Sequence, residues 1–115
     1  MTHAELVAAL GKPGEDILKE ITPEEVHRWH MATGISGEAG ELLDAIKKHV
    51  LYKREIDLEN VIEELGDLEF YMEGLRQGLG ITREETLNYN VNKLLTRYHS
   101  GSYSNEQAQD RADKE

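Results

Sequence analysis

The sequence predicts an all-α helical bundle, and three observations carry that prediction. Apolar residues recur at helical spacing, strand-like alternation is absent, and there are only 2 prolines. Helix starts are marked by Thr2 with Glu5, Thr22 with Glu25 and Thr82 with Glu85. Each pair fits an S/T-x-x-E capping box, in which hydroxyl and carboxylate satisfy orphaned first-turn N–H groups. Stops are marked by Gly11-Lys12-Pro13-Gly14 and by Gly78 and Gly80 ahead of Thr82.

The elements follow in order. A short helix is expected over 3–10. The next covers 23–33, with Pro23 in the first turn, where its missing N–H costs nothing. Another covers 36–51. Gly34, Gly37 and Gly40 lie at the join, and each costs a helix roughly 1 kcal/mol against Ala. Either the helix breaks there, with Ser36 capping a new start, or a neighbouring helix or ligand comes close. A distorted but mostly helical passage is expected. After the polar linker Tyr52-Lys53-Arg54-Glu55-Ile56, Asp57 caps a helix over 58–78, and a further helix covers 83–98. From Ser100 the chain is rich in Ser, Gln and charge. Ser104 with Gln107 fits the cap of a last short helix, with Tyr103 placed to pin it to the body. The expected organisation is a helical domain over 1–99 and a polar tail over 100–115.

Composition bounds the function. The 115 residues amount to about one domain. Apolar residues are only 38% and aromatics 6%, so part of the core is expected from a partner subunit, in a homodimer or homotetramer. With no Cys there is no disulfide framework, thiolate zinc site or cysteine nucleophile. No apolar run is long enough to span a membrane, and the start lacks the pattern of a signal peptide, so a cytoplasmic protein is expected. The formal net charge of −10 argues against a nucleic-acid or membrane partner. A phosphate-ester substrate would be repelled unless divalent cations bridged it to the protein.

The acids are not scattered evenly. At ~100° per residue, Ala39, Leu42, Leu43, Ile46 and Val50 form one apolar stripe, and Glu38 and Glu41 lie along its edge. Val61, Leu65, Leu68, Met72 and Leu75 form a second stripe, flanked by Glu64 and Asp67. Glu63, Glu69 and Glu73 project elsewhere. Four carboxylates at a low-dielectric seam can protonate, pair with bases or bind cations. Lys47 projects off the seam, and nearby bases are too few to neutralise four acids. Oxygen donors suit Mg²⁺ or Mn²⁺. Either pair alone is more often a solvated face; two pairs phased onto one seam tip the balance toward metal binding.

These residues resemble a known family. Gly37-Glu38-Ala39-Gly40-Glu41-Leu42, Glu63-Glu64-Leu65-Gly66-Asp67 and Asn90-Val91-Asn92-Lys93-Leu94 with Arg97-Tyr98 resemble the MazG-like branch of the all-α nucleoside triphosphate pyrophosphohydrolases. The resemblance extends over about 27–112 and includes His30 and Gly34. Compact versions of this kind occur in bacteria and their phages. The resemblance implies hydrolysis between the α- and β-phosphates of a nucleotide, giving a monophosphate and pyrophosphate. It implies that Glu38, Glu41, Glu64 and Asp67 hold Mg²⁺, with Glu38 or Glu41 activating water. It also implies that Lys93 and Arg97, with Asn90 one turn earlier, contact phosphate oxygens. Without it, a basic helix end favoured by the helix dipole is the simpler account of those two cations.

The remaining candidates are weaker. Lys48 is a secondary phosphate ligand or a surface lysine. Trp29, the only Trp, could stack on a base with His30 beside it, although a lone Trp in a small helical protein is more often core. The alternatives are a pyrophosphohydrolase dedicated to phosphoribosyl-ATP, dUTP or dCTP, and a non-catalytic acidic module that binds a protein.

Overall fold

A computed structural model describes residues 1–101, 103–111 and 113; positions 102, 112, 114 and 115 of the tail lie outside the described residues. Six helices appear in order: α1 (His3–Leu10), α2 (Gly14–Glu20), α3 (Pro23–Leu51), α4 (Leu58–Leu79), α5 (Arg83–Arg97) and α6 (Asn105–Asp110). No strand occurs among the described residues, so the all-α class holds.

Local chemistry accounts for the ends. The hydroxyls of Thr2, Thr22 and Thr82 accept from the backbone N–H groups of Glu5, Glu25 and Glu85. At α3 the box is reciprocal, since the Glu25 carboxylate accepts from the Thr22 N–H at 3.0 Å. This holds the Glu25 carboxyl below its ordinary pKa. Asp57 caps α4 and Ser104 caps α6. The turn after α4 needs its glycine: Gly80 has φ 70°, and the following Ile81 N–H reaches back to the Arg76 carbonyl.

One element was not expected. The stretch after Pro13 continues as α2, with Glu15 and Asp16 in its first turn and Lys19 in its last, both favourable to the helix dipole. The passage through Gly34, Ser36 and Gly37 is unbroken, and α3 is one helix of 29 residues.

α3 packs antiparallel on α4, and α5 packs on α6. Three glycines set the hairpin. The Tyr71 ring sits on Gly34, the Met31 thioether on Gly74, and the His27 ring on Gly78, each so close that a Cβ at the glycine would collide with it. The His27 Nε2–H donates to the Gly74 carbonyl at 3.0 Å. As one helix advances the other retreats, a register that puts Glu38 level with Asp67 and Glu41 level with Glu64.

This interlock corrects the expected seam. The face of α3 turned toward α4 carries Met31, Ile35, Glu38, Leu42, Ala45 and His49, all buried or half-buried. Ala39, Leu43 and Val50, expected at the seam, are exposed, Leu43 to 68%. On α4, Val61, Leu68, Met72 and Leu75 are half-buried as expected, whereas Leu65 is exposed. Gly34, Gly74 and Gly78 let the helices approach with that rotation, which the apolar stripes alone do not specify.

The consequence is a hairpin with a bare apolar side. At helical spacing, Ala39, Leu43 and Val50 of α3 lie on the same side as Leu58, Ile62 and Leu65 of α4, opposite Glu41 and Asp67. Met31 is the single buried apolar side chain among the described residues. The radius of gyration is 20.2 Å, against roughly 13 Å for a compact domain of this length. All of α1 and α2 is exposed.

Candidate metal centre

The four acids come from the middle of the hairpin. α3 supplies Glu38 and Glu41; α4 supplies Glu64 and Asp67 from its second and third turns, after the Asp57 cap. Three of them converge. One carboxylate oxygen each from Glu38, Glu64 and Asp67 lies within 4.8 Å of the others. Glu38 and Glu64 are half-buried at the seam, and Asp67 is exposed at its rim. Glu41 is exposed and stands outside this group, yet close enough for its charge to act on Glu64.

The electrostatics match that placement. The Glu64 carboxyl is raised from its ordinary pKa. Burial is the main cause, followed by a hydrogen bond with Glu38 and the negative charges of Glu38, Glu41 and Asp67. No ion pair among the described residues joins any of the four to Lys, Arg or His. By contrast, Glu69 and Glu73 flank Arg76, which is itself buried. Like charges gathered without a base favour either a proton or a cation. Three convergent carboxylate oxygens with an open rim fit a hard divalent ion that keeps sites for water and phosphate oxygens.

The expected phosphate ligands lie elsewhere. Asn90, Lys93 and Arg97 are on α5, which packs on the tail helix instead of the hairpin. Asn90 is exposed. Arg97 is held by Asp113, Nε to Oδ1 at 2.9 Å and Nη2 to Oδ2 at 3.4 Å. Lys48 pairs with Asp44 on its own helix at 3.1 Å and lines a hollow with His49, Arg54 and Asn60 at the end of the hairpin.

Trp29 is 68% exposed, which corrects the expectation that a lone Trp is core. His30 meets the Tyr71 ring edge-on at 6.3 Å. Tyr103 packs against Tyr98, their centroids 5.4 Å apart, as the expected pin of the tail. Asp113 was not among the expected residues. It lies 16 positions beyond Arg97, too far for any local pattern to connect them.

No helix among the described residues is long and apolar enough to cross a membrane. No curated protein and no solved structure matches the chain significantly. The family model described as the MazG nucleotide pyrophosphohydrolase domain matches residues 28–101, a span that contains all four acids, Lys93 and Arg97. With more than half of its length matched, the chain belongs to the MazG nucleotide pyrophosphohydrolase family.

Proposed function

We propose that the protein is a cytoplasmic, Mg²⁺-dependent enzyme that hydrolyses ribo- or deoxyribonucleoside triphosphates to monophosphate and pyrophosphate, for pool control or housecleaning. The observation that carries this is the convergence of Glu38, Glu64 and Asp67 with no basic partner. These three would hold Mg²⁺, or Mn²⁺ in its place. Such ions, when bound, neutralise triphosphate charge and lower the pKa of water.

The chain's own groups account for the rest. Glu41, outside the converging oxygens and open to solvent, is free to take the proton of the attacking water. Water oxygen bonds to the α-phosphorus, the bridging α–β bond breaks, and pyrophosphate leaves with the electron pair. Glu38 orients the same water or stays with the ion. Lys93 and Arg97 neutralise phosphate oxygens, with Asn90 beside them. Trp29, with its exposed ring, offers a stacking surface for a base, and His30 flanks it.

The active form is a homo-oligomer, a dimer or tetramer. The bare side formed by Leu43, Ile62 and their neighbours supports this, as does the extended shape of a single chain. Because α5 packs on the tail and not on the hairpin, we assign the meeting of basic and acidic faces to that assembly.

Pyrophosphate release from a panel of nucleotides, with and without Mg²⁺, tests the function. Turnover of several nucleotides supports a broad enzyme, and a single active member would identify a dedicated one. No turnover and no Mg²⁺ affinity would leave an acidic interaction module. Sedimentation tests the assembly, which a monomer at working concentration would refute.

A further inference from the structure

Arg97 does not wait for a ligand with an open guanidinium. Its Nε and Nη2 meet both oxygens of Asp113, at 2.9 and 3.4 Å, in the side-by-side fork that guanidinium also forms with a phosphate face. The pair is sheltered: the Arg97 side chain is 16% exposed and that of Asp113 only 6%. Asp113 sits in a hollow of about 330 Å³ that it lines with Tyr89, Asn92, Lys93 and Thr96. Lys93 is near enough for its charge to act on Asp113 as well. The hydrogen bond from Arg97, more than any other influence, holds the Asp113 carboxyl below its ordinary pKa, so it stays ionised at neutral pH.

A tail carboxylate therefore occupies one of the two cations that the proposed function gives to phosphate, and its charge faces the other across the same hollow. Asn92, Lys93 and Thr96 put donors around the hollow, and the chain contributes its own carboxylate to the wall. A tethered group competes at an effective concentration on the order of millimolar. An incoming anion must displace it, and its apparent affinity falls by the fraction of molecules in which the tail is seated.

We propose that Asp113 is an internal stand-in for a substrate phosphate, a latch that seats the tail on Arg97, beside Lys93, until a triphosphate displaces it. This rests on the assignment of Arg97 and Lys93 as phosphate ligands. It deepens that assignment by giving the site a competitor that sets the threshold of nucleotide at which it fills.

The test uses the full chain, inorganic tripolyphosphate with Mg²⁺ as probe, and calorimetry as readout. Asp113→Asn removes the competing charge and should tighten binding about 3- to 10-fold, with kcat for nucleotide unchanged. Asp113→Asn added to Arg97→Ala should give no such gain. In the wild type, saturating tripolyphosphate should speed tryptic cleavage after Arg111, because the tail is released. Circular dichroism confirms that each variant is folded, and Asp113→Glu, which keeps the charge, should bind as the wild type does.

The failures separate. If Arg97→Ala weakens binding but Asp113→Asn leaves it unchanged or weakens it, Asp113 does not compete and the latch is refuted while the phosphate assignment stands. If the probe slows cleavage after Arg111, the ligand holds the tail in place and the latch is likewise refuted. If Arg97→Ala and Lys93→Ala both bind as the wild type does, the phosphate assignment itself fails, and the latch with it.

Discussion

The α3–α4 hairpin and the α5–tail arm handle charge in opposite ways. In the hairpin, a register set by glycine seats presses Glu38, Glu64 and Asp67 together, and no base answers them. In the arm, Arg97 is answered by Asp113 in a sheltered pair. An unanswered cluster calls for something from solution, and a satisfied pair resists it. One region is thereby disposed to recruit a cation, while the other admits an anion only by exchange.

The largest expected effect lies in the hairpin. Glu41→Gln and Asp67→Asn should each lower kcat by at least about 100-fold, with unchanged circular dichroism; near-normal turnover in either would dissolve the distinction between the regions. In the arm, Lys93→Ala should raise KM by about 10-fold and spare kcat, since the proposed role of Lys93 is to contact phosphate and not the reacting water. Glu41→Gln and Lys93→Ala chains can then be mixed at substrate well below KM, where the first keeps about a hundredth of wild-type activity or less and the second about a tenth. Activity above the average of the two would show that hairpin and arm of different copies form one site, and activity no higher than that average would place both in a single chain.

Stability distinguishes the regions next. Gly34→Ala drives a methyl into the Tyr71 ring and should cost about 1–3 kcal/mol by denaturant unfolding. Gly37→Ala, where a Cβ meets nothing, should cost nothing and can gain helix propensity. The smallest effect is a pH trend. Glu64 binds its proton more tightly folded than unfolded. The contribution of Glu64 to folded stability in chelator, read as the difference from Glu64→Gln, should therefore be greatest at pH below the ordinary carboxylate pKa and fall as pH rises through the raised value. Mg²⁺ should cancel that fall by taking the proton's place, and a melting temperature equally flat with and without Mg²⁺ would count against the site.

Much of this molecule was legible because its signals are local. Thr2, Thr22, Asp57, Thr82 and Ser104 each cap the helix that follows them, through bonds spanning three residues. The acids were legible because helical phase alone puts Glu38 and Glu64 near apolar stripes. What was hidden is tertiary. Leu43 and Leu42 are equally apolar, and only the docking of Tyr71 on Gly34 decides which of them turns inward. That rotation also draws Glu38 into the seam and leaves Glu41 outside the converging oxygens. α2 escaped notice because its seven residues begin directly after Gly11-Lys12-Pro13, which reads as a terminator. Asp113 could not be paired with Arg97 from spacing, since the tail must fold back to bring them together.

The three glycine seats all lie on one side of the acids, toward the start of α3, and the Tyr52–Asp57 connection closes the hairpin on the other. At ~1.5 Å per residue α3 is a stiff rod over 40 Å long, gripped near one end. A slight splaying at the grip swings the rod and changes the gap between Glu38 and Asp67, about one to three turns beyond the seats. Ion selectivity at the proposed metal centre should therefore be adjustable by substitutions at His27 or Met31, about two to three turns from the carboxylates.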